Sequence, residues 1–432
     1  MTAEIAVYNK LAVALAADSA VTITDGNTLK INNGAEKLFA LSKHHPVGLM
    51  VYGAGTLCGV PWEMIIKEYR KKLDIDAFDT VKQYADNFWD YLCNCKHLIP
   101  EDIKENHLVD ILLNSVLPNM LQLIQDNEIK AHIQTHGLKP GTLDTYKIIE
   151  ASFRTFIGGL GGEDFYEGFT DDDINDAYQF SLPIAEEACE NIIFKEDGID
   201  VPESMKEAMA MLFAQIICRK TPFGTNTGLV FAGYGAEEYF PSILAYDVIG
   251  FFGDKLRLSP NINKSSSGGD SGVTAYAQED EVSAFMAGIS GELQGFMFPK
   301  IQKCTNIILH EIDQKIQQSK LSDGDKKKLW SEIETFADQE WSETIDSIRN
   351  YIVENHISKV VEMIEFLPKQ DLGYMAESLV NLTAFKRKIS NDSETVGGPI
   401  DVAIISKGDG FIWVKRKHYF EKDLNHQYFK RV

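Results

Sequence analysis

A short apolar run that stops on a carboxylate is the feature that most restricts what this chain can fold into. Leu11–Ala17 reads LAVALAA and ends at Asp18. Its Val, Leu and Ala content suits a buried strand, and apolar runs do not usually end on a charge. Ahead of it, Thr2, Glu4, Ala6 and Tyr8 alternate with Ala3, Ile5 and Val7, the period-2 pattern of a half-buried strand. Asn9-Lys10 supplies the turn. The chain is therefore expected to open on a β-hairpin with Asp18 closing its buried arm.

Thr2 follows the initiator Met. Met aminopeptidases remove Met1 when the next residue is small, which would leave Thr2 with a free α-amine beside its hydroxyl. An α-amine titrates near ~7.7–8.0 and can act as a base at neutral pH. Thr paired with its own amine is a known activated nucleophile.

The opening MTAEIAVYNKLAVALAADSAVT resembles that of mature proteasome β-subunits and of the bacterial peptidase HslV. In that family a Thr is followed sixteen residues later by Asp and then Ser, the spacing of Thr2, Asp18 and Ser19. The resemblance covers the chain to about Gly55, a central strand pair around AGYGAEEYFPSILAYD, and Val396–Trp413. It implies an N-terminal-nucleophile (Ntn) hydrolase that cleaves amide bonds through Thr2. EKLFAL supplies Lys37 where the family has a Lys. Its ammonium would lower the amine's pKa, with Asp18 holding it oriented. MVYGAG supplies Gly53 where the family's oxyanion donor is a backbone N–H. Asp18 to Lys37 is three residues longer than in the proteasome, a difference that the turn around Asp25–Asn27 could absorb. Near the C-terminal Gly397-Gly398 pair, the family's amine-tuning Asp and Ser fall in register on Ser393 and Val396, or, shifted by one, on Asp392 and Thr395. A further family Ser has no clear match, with Asp280, Glu281 and Ser283 near its place.

The fold class expected is α+β: the αββα four-layer sandwich of proteasome-like Ntn hydrolases, as one domain over 1–432, with two large helical insertions. The core falls in 2–72, 221–290 and 371–420, and the insertions in 78–220 and 292–366. Strands are expected at Lys37–Leu41, Val47–Tyr52, Gly228–Tyr234, Ser242–Tyr246 and Gly250–Leu258, with a loop over Ser259–Gly272. Two strands flank the turn Gly408-Asp409-Gly410. The helical regions, among them Glu101–His136 and Lys300–Phe366, carry charges spaced for solvated faces and hydrophobes spaced for packing.

Composition narrows the partners. A net charge of −22 repels nucleic-acid phosphates and anionic membranes. No apolar run approaches the ~20 residues of a membrane helix. The six cysteines are scattered and read as reduced core residues of a cytoplasmic protein. Lys10 with LAVALAADSA also has the outline of a short secretory signal, but Glu4, the minimal apolar length and the strand pattern upstream argue against it.

Three further motifs read as structural. DDDIND lacks the Gly and Glu of a calcium loop and is expected to be a solvated loop. GGDSG (268–272) has no histidine partner in a serine-protease context and reads as a linker. Cys93, Cys95 and His97, if helical, point apart and cannot share a metal. No metal or organic cofactor is required. By resemblance the substrate is a peptide or protein and the assembly a homo-oligomer; a partner ATPase is undetermined. Two alternatives stay open: a catalytically silent scaffold or binding protein on this fold, and an amidase for small amides.

Overall fold

The computed structural model describes residues 3–25, 28–190, 200–221, 223, 226–389 and 396–427. The protein is α+β, 57% helical and 19% strand. It divides into two compact units: 1–35, 269–404 and 412–419 form the first, and 36–268, 405–411 and 420–432 the second.

The first unit opens on the expected hairpin. Strands β1 (Glu4–Asn9) and β2 (Ala12–Ala17) pair antiparallel from Glu4↔Ala17 to Asn9↔Ala12. Asn9 organises the turn: its side-chain oxygen accepts the Leu11 and Ala12 N–H groups. Its amide donates to the carbonyls of Ile364 and Leu367, both at 2.9 Å. A second hairpin, β3 (Val21–Asp25) and β4 (Thr28–Asn32), follows.

The second unit begins with β5 (Leu38–Ala40) and β6 (Val47–Gly53), then a small hairpin of β7 (Thr56–Leu57) and β8 (Val60–Pro61). Helices α1 (Trp62–Leu73) and α2 (Val81–Asn94) come next. A continuous helical stretch then comprises α3 (Glu101–Ile111), α4 (Leu117–Ile124) and α5 (Lys130–His136), joined by π-turns at Leu112–Val116 and Gln125–Ile129. After α6 (Thr142–Leu160), α7 (Asp171–Ala188) and α8 (Glu203–Cys218), the chain returns as β9 (Thr227–Gly233), β10 (Ser242–Phe252) and β11 (Lys255–Pro260). The sheet order is β11-β10-β9-β6-β5, every neighbouring pair antiparallel. Helices α1 and α2 cover it through Trp62, Ile66, Phe88, Phe231 and Tyr246, while α3–α8 bury a core of their own.

The chain then completes the first unit. Strand β12 (Gly272–Ala277) leads to α9 (Glu279–Ala287), α10 (Gly291–Gln318), α11 (Asp323–Ile352), a π-turn at Val353–Ile357, α12 (Ser358–Glu365) and α13 (Lys369–Ile389). Strands β13 (Asp401–Ser406) and β14 (Gly410–Lys415) finish a sheet of order β12-β1-β2-β13-β14. Alternate alanines of β2, Ala12, Ala14 and Ala16, share a cluster with Leu372, Ala376 and Val380 of α13. Their small side chains let the helix lie close to the strands, and a Cβ at Gly373 would stand 3.0 Å from Ile404.

Several local expectations need correction. Strand β1 is buried at every position except Tyr8, including Glu4, because it lies between β12 and β2 rather than at an edge. Residues 242–252 form one strand through Asp247 and Gly250: a bulge between Val248 and Gly250 absorbs the break, and Asp247 accepts the Asn261 amide at 2.9 Å. Strand β12 was not anticipated, and it takes Gly272 from the expected loop.

The acidic run Asp171–Asp173 is the first turn of α7, not a loop. Asp173 closes a capping box with Thr170 and meets Lys255 at 2.6 Å. The 101–136 stretch is, among the described residues, the one helix long and apolar enough to cross a membrane. Its apolar face, including Leu112, Val116, Leu117 and Met120, is buried against α6–α8. In α10 only Ile316 is buried and in α11 nothing is, so the hydrophobes there do not pack as expected. Cys304 is exposed. Helix α2 ends at Asn94, leaving Cys95 to approach the His97 ring at 3.6 Å.

The second unit turns on one buried cation. Arg257 of β11 is 1% exposed and donates to the carbonyls of Ile217 and Ile216 at 2.9 and 2.8 Å. These are among the last carbonyls of α8, where the helix dipole favours positive charge. Arg257→Gln is expected to lower stability by roughly 1–3 kcal/mol for each buried carbonyl left without a donor, read as a lower urea midpoint. Burial also lowers the pKa of His107 on α3 below its usual value. The unfolded chain then takes up a proton before the folded one, so stability should fall as pH drops through about 6.5. Urea midpoints at pH 7.5 and 5.5 should differ less in His107→Gln.

Candidate functional site

The sequence-derived constellation centres on Asp18, and the first unit builds a backbone clamp around that side chain. Asp18 follows β2 directly and is 1% exposed. Its own N–H donates to the Ala3 carbonyl and its Oδ1 accepts the Ala3 N–H, both at 3.1 Å. Its Oδ2 accepts the N–H of Gly397 at 2.9 Å and of Ala20 at 3.3 Å. One carboxylate thus binds backbone donors from three stretches of chain. Such charge-assisted bonds are about twice as strong as neutral ones, and they offset the cost of burying the anion.

Ser19 extends the clamp. Its N–H donates to the Gly397 carbonyl at 3.2 Å, its hydroxyl donates to Pro399 O, and its carbonyl accepts the Ala35 N–H. The Gly397-Gly398 pair is suited to this crossing. Gly398 has φ +79°, and a Cβ there would meet Asn33 at 2.9 Å, a backbone state and a clearance that glycine tolerates.

Lys37 and Gly53 belong to the second unit. Lys37 is buried just ahead of β5, and its carbonyl accepts the Val51 N–H at 2.8 Å. That pairing brings Lys37 beside β6, two residues before Gly53. Gly53 ends β6 with φ +80°, and a Cβ would stand 2.7 Å from the Asn226 carbonyl, so the position is restricted to glycine. The next peptide is held by groups that sequence reasoning missed. Thr227 donates its hydroxyl to Ala54 O at 3.0 Å and accepts the Trp62 indole N–H at 3.2 Å. A Thr opening a strand and a Trp opening a helix carry no local sign of that relay.

Thr2, Asp392, Ser393 and Thr395 lie outside the described residues. What is described is their immediate surroundings: Ala3, the residue after Thr2, and Gly397, two residues after Thr395, are tied to the same carboxylate.

Other reactive groups are quiet. Burial pushes the thiols of Cys58 and Cys189 up to about 11 and that of Cys218 to about 12, so they stay protonated at neutral pH and make poor nucleophiles. Among the described residues, no three His, Cys, Asp or Glu side chains gather as a metal site would need.

Compared with protein-family models and with curated proteins, the sequence finds no match.

The clamp predicts a measurable fragility. Asp18→Asn keeps the side chain's size but replaces one accepting oxygen with an NH₂ that cannot accept. Stability is expected to fall by roughly 3 kcal/mol, from bonds to a charged group of about 1.5–3 kcal/mol each. Hydrogen exchange at the Ala3 and Gly397 amides should accelerate together, since one carboxylate holds both.

Proposed function

We propose that the chain is a threonine-type Ntn hydrolase of proteasome-like character, cleaving amide bonds of a peptide or protein. The observation that carries the reading is the Asp18 clamp. The residue after Thr2 and the glycine pair that the resemblance places beside the nucleophile are fastened to one buried carboxylate. A nucleophile presented for attack needs its backbone held to within a fraction of an ångström.

In this reading Thr2 Oγ attacks the scissile carbonyl and the Thr2 amine accepts the hydroxyl proton. The tetrahedral oxyanion is met by the Gly53 N–H. The tetrahedral intermediate collapses, and the leaving amine takes the proton from the Thr2 ammonium. Water, deprotonated by the same amine, then attacks the ester and releases the acid and Thr2. Lys37 and Asp18 tune the amine, and Asp392, Ser393 and Thr395 are candidates to assist. The proposal takes the two five-stranded sheets, each covered by helices on one face, as the inner layers of an αββα sandwich. It needs no metal or organic cofactor and places the protein in the cytoplasm, acting neither on nucleic acid nor at a membrane.

The test is the intact and N-terminal peptide mass after treatment with a peptide epoxyketone, which bonds both the hydroxyl and the free amine of an N-terminal Thr. Loss of Met1 and an adduct on Thr2 are expected. Thr2→Ala should lose the adduct and at least about 10⁴-fold in kcat/KM on a responsive peptide. A chain that retains Met1 and forms no adduct overturns the reading in favour of a binding protein. An adduct-forming chain that cleaves only small amides moves the substrate class, not the nucleophile.

A further inference from the structure

Helices α10 and α11 carry more apolar surface into solvent than a solitary chain requires. Leu293, Phe296, Met297, Ile301, Ile307 and Ile308 are exposed by 39–64%, along about 22 Å of α10 at 1.5 Å per residue. Their bare area is on the order of 500 Å², within the range of the largest patch on a typical monomer and often functional. An apolar stripe on one face of a helix is normally buried against a partner.

The hairpin itself is well defined. Ser322 caps α11, and Lys326 donates to Gln317 O at 2.8 Å, fixing the turn between the helices.

Charge narrows the occupant. From 293 to 310, α10 has two lysines, Lys300 and Lys303, and no carboxylate. From 329 to 348, α11 has six carboxylates and no Lys or Arg. Among the described residues no ion pair joins those lysines to Glu332, Glu334, Asp338 or Glu340. Lys300 instead lies over the Phe296 ring at 5.5 Å. A basic apolar stretch of α10 and an acidic stretch of α11, on the same hairpin and unspent on each other, are complementary to a second copy of themselves.

We propose that this hairpin is a self-association surface. The α10 stripe of one chain packs against the α10–α11 hairpin of a second copy about a two-fold axis, with Lys300 and Lys303 reaching the acidic face of that copy's α11. A two-fold contact uses the same patch twice. A stable pair buries about 800 Å² per partner, and the stripe alone supplies more than half of that. By helical spacing Lys300 falls within the stripe and Lys303 at its border, where their stems cover apolar surface while the ammonium groups stay in reach of carboxylates. The proposal is independent of whether Thr2 is a nucleophile.

Light scattering on a sizing column and sedimentation equilibrium test it on the full-length chain. Wild type is expected at twice the 48.4 kDa chain mass. Phe296→Asp with Ile308→Asp should run at the chain mass with an unchanged far-UV circular dichroism spectrum, since both side chains are already exposed. Lys300→Glu with Lys303→Glu should raise the dimer Kd at least tenfold, and adding Glu340→Lys with Glu343→Lys should recover most of it, a rescue that a purely structural role for the lysines would not give. A chain that stays at 48.4 kDa at every concentration, a dimer untouched by the apolar double variant, or a charge swap that rescues nothing would each overturn the proposal.

Discussion

The first unit depends on one buried carboxylate that gathers backbone donors. Asp18 accepts from Ala3, Ala20 and Gly397, so peptide dipoles from the opening residues, from just beyond Asp18 itself and from the far end of the unit converge on its charge. The contact of one long cationic side chain would not by itself fix three main-chain segments at once. The geometry of Ala3 is therefore set by a short, stiff side chain on the neighbouring strand, and the Gly397 turn is set by the same group.

The second unit uses the opposite sign in the same manner. Arg257 is buried and donates to the last carbonyls of α8, where the unpaired C=O groups of a helix end would otherwise need water. The ring of Tyr166 lies 5.2 Å from the guanidinium. One fixed charge thus joins the sheet to α8 and the helices packed with it. In both units the polar group that looks most costly to bury is the one that joins elements far apart in sequence.

How legible was this in the amino-acid string? The β1–β2 hairpin was, because alternation and turn residues act locally. So were most helices, to within a few residues at their ends. Asp18 stood out because a charge closing an apolar run needs partners, yet its bond to Gly397 spans 379 residues and no local pattern encodes it. Strand β12 was hidden because VTAYA is short and follows a Ser- and Gly-rich stretch that reads as loop. Nothing in KLRLSP marks Arg257 for burial, since that is decided by where α8 ends. The hydrophobes of α10 obey helical spacing, which reveals that a helix forms and not what covers it.

The first sheet also has an unusual history in time. Strands β1 and β2 are made first, but β12 follows β1 by about 260 residues, and β13 and the Gly397 turn come later still. At roughly 5–20 residues per second, the opening hairpin emerges tens of seconds before its neighbours exist. Residues 36–268, by contrast, supply every strand of the second sheet without waiting for the rest. An early apolar hairpin with two open edges is the kind of segment that pairs with the wrong strand. Its two-residue turn, already braced by Asn9, leaves it little freedom of register while the ribosome finishes the chain.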